Sequence, residues 1–541
     1  LFRSARMFHH RRDMPGPEFP AASTRLALPG TLGLTAALAL GLGPTNEATA
    51  GPPPGSSPPP ALDRDAPLWE VGRLDPQAGM PGRWRSELRR RQAILTTAKG
   101  RDHRAALALL GLLPVLQGEI PNTELAELVT AVRNDRARHP LVRALAGTLR
   151  GLLHEAQGEL DEARKLYAEE GMLLSWRIVG PFDNANESGL DKLYAPETEP
   201  FVIGQQFTGK LASEPLEWRS YDPSSTLAGG YVSFDEFLRP NQHVVGYATT
   251  WVKVPKAQRA VLHFGSGGAH AIWVGQREIG RGDAYRTPDP LQDAYALELA
   301  AGWNRVLIKV GCDAGAWGFF AQLRTPEGER IAGLESSGSP PVSFTELPTA
   351  AVIGEAKLDQ KPLPEPVSLR SLFEQAASAA KPQASDELAL AEFYHWVRPF
   401  DRSEFGARNQ AREADAALQS ARSALFLAML EDDSKRSREA LEQGIVRARA
   451  EIDRVEQPSP GRMPEPRSSA PPKPGPRAIE ARALLGQMLV ELAWRSSTLG
   501  LERRATELLE QARAAAPDDA LIELAAVEQL ARAGAARGAG S

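Results

Sequence analysis

The sequence predicts a multidomain α + β protein in which α-helical repeat segments flank a central antiparallel β-sandwich or jelly roll. Hydrophobic residues alternate with period two only between residues 176 and 330, which is the pattern of half-buried strands. Six of the ten tryptophans lie in this stretch. On both sides of it the sequence is rich in alanine, leucine and arginine, with apolar residues at helical spacing.

The composition excludes several classes of protein. The 541 residues carry a formal net charge of −5 and are 24% charged, so neither a nucleic-acid-binding surface nor a polycation for membrane surfaces is indicated. The basic run at 83–91 has the spacing of a solvated helix face. The single cysteine, Cys312, cannot form an intramolecular disulfide or a thiolate cluster. The sequence predicts no cofactor and no metal site.

The N-terminal region predicts export. Arg25 precedes an apolar run from Leu26 to Leu42, and the small residues at 48–50 then offer a cleavage site. The run is short for a spanning helix and is interrupted by glycine and proline, so a cleaved signal is favoured over a permanent anchor. We therefore expect a periplasmic or extracellular protein, with membrane contact only through an uncleaved signal.

Two stretches of the helical segments share one spacing of small residues, at offsets 0, 7 and 12. Glycine or alanine is needed where two helices approach closely, and a bulky residue fills the groove beside them. In the first stretch a tyrosine follows at offset 16, and in the second a proline ends the repeat. The positions are Gly151, Gly158, Ala163 and Tyr167 in the first stretch and Ala493, Gly500, Ala505 and Pro517 in the second.

The central region predicts many short strands. Their candidates are 176–184, 244–254, 260–264, 271–274, 295–299, 305–310 and 318–323. Glycine-rich turns separate them, among them Gly265-Ser266-Gly267-Gly268. Short strands with such turns and no intervening helices favour a sandwich or jelly roll.

Shifts in composition predict the boundaries of these parts. Proline-rich runs, which are typical of extended linkers, separate several of them. The predicted parts are a signal region at 1–50, a linker at 51–82, a helical repeat segment at 83–174, the β-sandwich at 175–335, a linker at 336–366, a helical segment at 367–456, a linker at 457–477, repeat helices at 478–532 and a tail at 533–541.

These motifs resemble known families. Residues 485–530, and more weakly 144–170, resemble tetratricopeptide repeats, and the central region resembles galactose-binding-like jelly rolls. The whole arrangement is similar to exported bacterial proteins in which such parts, with a WRIVGPFDN-like opening strand, precede transglutaminase-like domains. This chain departs from them in two ways. The turn after Trp273 lacks the asparagine often found there, and no Cys-His-Asp site can be carried over.

Aromatic residues beside turns are the candidate ligand-binding residues, because an aromatic face can stack on a sugar ring. They are Trp273, Tyr285, Trp303 and Trp317. The simpler alternative is that they fill the core of the sandwich. Carboxylates at Asp283, Asp289 and Asp293 would suit calcium, although isolated loop aspartates more often serve turns. His263 and His270 flank one turn, where an ordinary histidine pair is favoured over a metal site.

The sequence contains no nucleophile elbow, zinc-protease motif, phosphate-binding loop or dinucleotide fingerprint. It therefore predicts a non-enzymatic exported scaffold or adaptor. Its helical repeats would bind protein or peptide partners, and its lectin-like sandwich would bind a ligand or provide structural support. One alternative is a carbohydrate-binding protein with a glycan ligand. Another is the non-catalytic portion of a transglutaminase-like or peptidase multidomain enzyme.

Overall fold

The structure is a computed structural model, and it describes most of the chain beyond residue 121. The described residues are 88, 91, 92, 94–96, 100–110, 112, 122–211, 214–221, 228–341, 363, 365–379, 384–398, 403–456, 476–517, 519, 522–525 and 527. The predicted signal region, the first linker and the C-terminal tail lie outside these residues, as do most of the other two linkers. None of the described helices is both long and apolar enough to cross a membrane.

Helices occupy both flanks of the described chain. Those before the sheets are α1 (Asp102–Leu110), α2 (Asn122–Asn134), α3 (Pro140–Ala156) and α4 (Leu160–Glu169). A single-turn helix, α5 (Ala195–Thr198), lies among the strands. Those after the sheets are α6 (Leu369–Ala377), α7 (Ala384–Val397), α8 (Ser403–Leu418), α9 (Ala421–Leu430), α10 (Ser434–Glu456), α11 (Pro476–Thr498) and α12 (Glu502–Ala515).

The helices on the two flanks belong to one array. From α6 to α12 each helix contacts the next along the chain, and α1 contacts α3, α6 and α7. One apolar core combines residues of 88–153 with residues of 369–430. A second core continues the array from α9 to α12. The strands are therefore an insertion between two halves of a helical array whose halves contact each other directly.

A polar network joins α1 to the first turn of α7 across this insertion. Oδ1 of Asp386 accepts hydrogen bonds from Nη2 of Arg101 at 2.7 Å and from Nε2 of His103 at 3.0 Å. Burial by itself raises the pKa of Asp386, but the hydrogen bonds from His103 and Arg101 hold it well below its usual value. The ionised carboxylate therefore ties together helices that are about 280 positions apart in sequence.

The chain breaks between α8 and α9, although the apolar spacing continues from 411 to 430. Gln419 has a positive φ of 45°, outside the helical region. Ser420 then forms a capping box with Ser423, in which each side chain accepts from the other's backbone N–H. This cap supplies the N–H partners that a new helix needs at its start, so α9 begins at Ala421.

The two stretches with the repeat spacing form equivalent helix pairs, α3–α4 and α11–α12. Gly158 and Gly500 occupy the two turns with φ of 78° and 75°. In both turns the glycine N–H bonds to the carbonyl three residues back, and the next N–H bonds to the carbonyl five residues back, as in a glycine-capped helix end. Ala163 and Ala505 are fully buried where the paired helices meet.

The strands form two main antiparallel sheets. The strands are β1 (Trp176–Asp183), β2 (Gln206–Thr208), β3 (Pro215–Glu217), β4 (Arg219–Tyr221), β5 (Val232–Ser233), β6 (Val244–Val254), β7 (Gln258–Ser266), β8 (His270–Val274), β9 (Arg277–Gly282), β10 (Asp293–Leu299), β11 (Gly302–Cys312), β12 (Gly318–Arg324) and β13 (Glu335–Ser337). The large sheet has the order β4-β1-β6-β11-β8-β9, with β13 also paired to β6. The small sheet has the order β10-β7-β12-β5, and β2 pairs with β3 alone.

Alternate residues of the two sheets face each other and share one core. The large sheet contributes Ile178, Ala248 and Ile308, and the small sheet contributes Leu262 and Phe319, among others. Each of the seven strand candidates falls on a strand, because alternation with period two marks strands that have one buried face. The mixed α + β class with antiparallel sheets is confirmed.

The glycines of the Gly265–Gly268 cluster allow neighbouring backbones to pack closely, a role that was not predicted from the sequence. Strand β7 runs on through Ser266, so half of the expected turn is strand. A Cβ on Gly265 would lie 1.8 Å from the carbonyl oxygen of Asp289, and one on Gly268 would lie 1.8 Å from that of Gly311. Glycine is therefore needed here because neighbouring backbones approach too closely for any side chain.

The helical array is joined to the small sheet through backbone hydrogen bonds. After α4, the N–H of Leu173 donates to the carbonyl of Ala321 at 3.0 Å, and the N–H of Leu323 donates to that of Gly171 at 2.9 Å. Met172 and Gln322 lie opposite each other between them. The chain leaving α4 thus forms an isolated β-bridge with β12, and these hydrogen bonds hold the small sheet against the array.

We expect Gly171→Ala to destabilise this junction. Gly171 has φ of 82°, and a Cβ there would lie 2.3 Å from the carbonyl oxygen of Leu323, so backbone strain and a steric clash add together. Gly204→Ala is the matched control, since Gly204 has φ of 78° but nothing within 4 Å of its Cβ position. Urea unfolding should show a loss about 1–3 kcal/mol larger for Gly171→Ala than for the control. Equal losses would contradict the close contact.

Candidate functional site at the junction of sheet and helices

The outward face of the small sheet carries a polar row that the helical array covers. Leu262 and Phe264 of β7 point into the core, so His263 between them points outward. On β12 the outward residues are Gln322 and Arg324 by the same alternation. All three outward polar side chains are buried. Because burying polar groups requires partners, specific polar contacts are expected at this junction between the small sheet and the helices.

Glu170 is the centre of the junction. Its carboxylate accepts from Nε of Arg133 on α2 at 2.7 Å, from Nη2 of Arg324 on β12 at 2.5 Å and from Nη2 of Arg330 at 2.8 Å. The Glu170 side chain is only 1% exposed. One carboxylate therefore meets three guanidinium groups from both sides of the junction, and these charge-assisted hydrogen bonds fix its geometry.

The backbone of Glu170 takes part as well. Its carbonyl oxygen accepts from Nε2 of Gln322 at 2.7 Å and from Nη2 of Arg324 at 3.0 Å. Burial lowers the pKa of Arg324, although the carboxylate of Glu170 acts in the opposite direction. Gly147 of α3 leaves the space for this carboxylate, because a Cβ there would lie 2.6 Å from it.

Two of the predicted repeat residues lie next to this centre. The ring of Tyr167 covers Gly151, where a Cβ would lie 2.1 Å from a ring carbon. The Tyr167 hydroxyl donates to Oε1 of Glu155 at 2.5 Å, and the same oxygen accepts from the N–H of Gly229 at 2.9 Å. Burial and then Glu155 raise the pKa of Tyr167 well above its usual value. Tyr167 thus packs the helix pair and also connects it to the chain before β5.

A second contact joins the loop between β9 and β10 to the end of α7. Nη1 of Arg286 donates to the carbonyl of Arg398 at 3.1 Å, and Nε2 of Gln292 donates to that of Val397 at 2.7 Å. Leu291 of the same loop lies in the helical core. Side chains of this loop therefore satisfy carbonyl groups at the C-terminus of α7 that have no partner within the helix.

Two buried groups at the junction have polar atoms without hydrogen-bond partners in the described part of the chain. Neither ring nitrogen of His263 has one, and burial followed by Arg324 lowers the pKa of His263 to about 3. Oδ1 of Asp289 also has none, and burial raises the pKa of Asp289 to about 7, although Arg286 acts in the opposite direction. At neutral pH His263 is therefore an uncharged imidazole.

Ser266 and His270 form a pair inside the two-sheet region that resembles an activated nucleophile, but the serine hydroxyl donates its proton to a backbone carbonyl and not to the histidine. Oγ of Ser266 lies 2.9 Å from Nδ1 of His270 and donates to the carbonyl of Gly268 at 2.7 Å. Since the single hydroxyl proton goes to that carbonyl, Nδ1 of His270 must donate to the serine. Nε2 then accepts from the Tyr295 hydroxyl at 2.7 Å. His270 therefore does not act as a base toward Ser266 here.

The four predicted aromatic residues do not form one surface. Trp317 is fully buried and donates from Nε1 to the carbonyl of Val310 at 3.0 Å, so it has no surface for a sugar ring. The Tyr285 hydroxyl accepts from Nδ2 of Asn184 at 3.1 Å at one end of the sheets. The four rings therefore do not form a common platform for a sugar.

Trp273 and Trp303 share the outward face of the large sheet. Trp273 is paired with Leu307, and both belong to the apolar cluster on that face. Trp303 lies four residues before Leu307 on β11, so it points the same way. It is partly exposed, with Nζ of Lys253 5.8 Å from its ring centre.

The same outward face holds a buried lysine that the sequence did not single out. Nζ of Lys309 donates to the carbonyl oxygens of Leu190 and Lys192 at 3.0 and 2.8 Å and to Oε1 of Glu197 at 2.7 Å. The Tyr247 hydroxyl donates to the same carboxylate oxygen. Burial lowers the pKa of Lys309, while Glu197 acts in the opposite direction. These hydrogen bonds hold the segment around α5 against the outward face of the large sheet.

The predicted metal alternatives receive no support from the geometry. Asp293 is paired with Arg286, and Asp283 is exposed. His263 and His270 lie on opposite sides of the small sheet, since His270 packs on the core residue Phe264. Within the part of the chain that the structure describes, no group of three or more His, Cys, Asp or Glu residues is placed to hold a metal ion.

Comparison with known protein families finds none that matches this chain. Comparison with curated protein sequences likewise finds no match.

Replacing Glu170 tests the centre of the junction. We expect Glu170→Leu to reduce the free energy of unfolding by about 3–5 kcal/mol, because it leaves the buried Arg324 without its carboxylate. Glu169→Leu is the control, since Glu169 pairs with the same Arg133 but is 45% exposed; its loss should stay below about 1 kcal/mol. Urea unfolding of both variants gives the comparison. Similar small losses would show that Glu170 does not hold the junction.

Proposed function

We propose that this protein is a non-enzymatic scaffold whose helical array binds protein or peptide partners and whose two-sheet domain supports that array. The observation that carries the proposal is the shared core of the helices on the two flanks of the sheets. A continuous array of helices presents an extended surface on which a partner can lie. The sheets, held by Glu170 and by the β-bridge to β12, fix the shape of that surface.

The equivalent turns at Gly158 and Gly500 support a repeat architecture of the tetratricopeptide kind. Both follow a long helix, have the same hydrogen bonds and precede a buried alanine five residues later. Two units with the same turn at opposite ends of the array are what repeated units produce. For the central region we propose a galactose-binding-like jelly roll, on the strength of its two facing antiparallel sheets. Export to the periplasm or beyond is proposed from the N-terminal sequence alone.

A peptide selection on the full-length chain tests the scaffold proposal. Val446 of α10 is 66% exposed, and apolar residues so exposed often contribute to binding surfaces. Peptides enriched by phage display would be measured by isothermal titration against the wild type, Val446→Asp and Trp303→Ala. We expect the variant in the array to weaken binding at least about tenfold and the variant in the sheet to leave it unchanged. No enrichment, or loss only with Trp303→Ala, would contradict the proposal.

The second candidate function is carbohydrate binding on the outward face of the large sheet. The observation that favours it is the partly exposed ring of Trp303 on the same face as Trp273, because sugar rings stack on such aromatic faces. The other alternative, a non-catalytic portion of a transglutaminase-like or peptidase enzyme, stays a prediction of the sequence.

A glycan array probed with the full-length chain separates this candidate from the scaffold. If the candidate holds, selective binding should be lost in Trp303→Ala and kept in Phe405→Ala, which removes an aromatic ring of α8 that is 56% exposed. Circular dichroism of both variants checks that they fold. The absence of glycan binding by the folded wild type would remove this candidate.

A further inference from the structure

A small pocket lies within the junction, between the outward face of the small sheet and the chain that leaves α4. Its lining includes Met172, Gly230, His263, Leu291 and Phe320. It has room for about one water-sized group. Any occupant of this pocket must therefore be about as small as a single atom.

His263 lines the pocket and has ring nitrogens without hydrogen-bond partners among the described residues. The residue is 1% exposed. Buried polar side chains are nearly always partnered, and an exception calls for an explanation such as an absent water or ion. An uncharged imidazole has one nitrogen with a free lone pair, so His263 is ready to bind an ion in the pocket.

Met172 brings a soft ligand, its thioether sulfur, to the same place. Met172 lies opposite Gln322, and Gln322 is paired with His263, so the three residues form one row across the sheet. Nε2 of Gln322 is already used by the carbonyl of Glu170. The thioether sulfur lies toward Gly230, where an added Cβ would be 2.8 Å from it. The Met172 sulfur and the His263 imidazole therefore line the pocket from either side of Gln322 in this row.

The chemistry of the lining selects one class of ion. No carboxylate lines the pocket, which disfavours calcium and magnesium because they require several oxygen ligands. Zinc takes four ligands in structural sites and three in catalytic sites, more than are available here. Thioether and imidazole ligands suit copper(I), and a single positive charge costs less to bury than two.

We propose that Met172 and His263 form a site for one soft monovalent metal ion of the copper(I) class. The site is independent of the scaffold proposal, since it needs neither a partner nor a glycan. An ion bound there would connect the chain leaving α4 to β7, and so it would stabilise the attachment of the helical array to the small sheet.

The test uses silver(I), a stand-in for copper(I) that does not change oxidation state, titrated into the full-length chain. The Cys312 thiol, the His9-His10 pair and Met7 offer other ligands for silver(I), but these are the same in every variant, so the difference between variants is what counts. We expect Met172→Leu and His263→Gln each to lose one equivalent of bound silver(I) in equilibrium dialysis, or to weaken that equivalent at least tenfold. The matched controls, Met488→Leu in the helical core and His243→Gln on an exposed loop, should bind as much as the wild type.

Two further readouts decide the outcome. With ¹³C-methyl-labelled methionine, the Met172 signal, assigned by its loss in Met172→Leu, should shift on addition of one equivalent of silver(I). Zinc(II) at equal concentration should not reverse that shift. If both variants bind as many equivalents as the wild type, or if the Met172 signal does not move, the proposal is wrong. Displacement by zinc(II) would overturn the assignment to a soft ion. Should His263→Gln fail to fold, the conservative Met172→Leu variant and the methyl signal decide alone.

Discussion

The carboxylate of Glu170 is the contact on which the arrangement of sheets and helices depends. Removing charged groups from water is costly, and the cost is recovered only where geometry and further hydrogen bonds are good. Here one carboxylate meets Arg133, Arg324 and Arg330 within 2.5–2.8 Å, and the arginines outnumber it. Losing the carboxylate therefore costs more than losing any one arginine. Without one arginine the others still pair with Glu170, whereas without the carboxylate the buried Arg324 has no compensating charge. This difference in cost makes Glu170, rather than any one arginine, the residue that holds the junction together.

The contacts at this junction show that the sheets are an insertion packed against the helical array, and not a domain joined to it only by linkers. The chain leaves α4 through a β-bridge to β12, and after the sheets it returns to α6 and α7, which pack against α1. Asp386 and Leu291 strengthen this return, the first through α1 and the second by entering the helical core. The two halves of the array are therefore held together both directly and through the sheets.

Local patterns in the sequence predicted the long strands, because alternation with period two records which face is buried. The same reasoning missed β2, β3, β4, β5 and β13, which have two or three residues each, too few for a period to show. Strand β9, whose six residues include two glycines and three charged residues, was missed as well. It also missed the break at Gln419, where the apolar spacing continues across a cap formed by two serines. Nothing in the local sequence marks Glu170, because its partners Arg324 and Arg330 lie more than 150 positions away.

The outward face of the large sheet shows why orientation and exposure have to be distinguished. On β11 the core residues Val306, Ile308 and Val310 alternate with Arg305 and Lys309, so the sequence alone places the charged residues on the outer face. It does not reveal that the segment around α5 covers that face and fully buries Lys309. An aromatic residue on an outward-facing position is therefore not a binding residue by position alone. Trp303 remains a candidate because it lies near the start of β11 and is partly exposed, while Trp251, on the same face, is buried beneath Phe201.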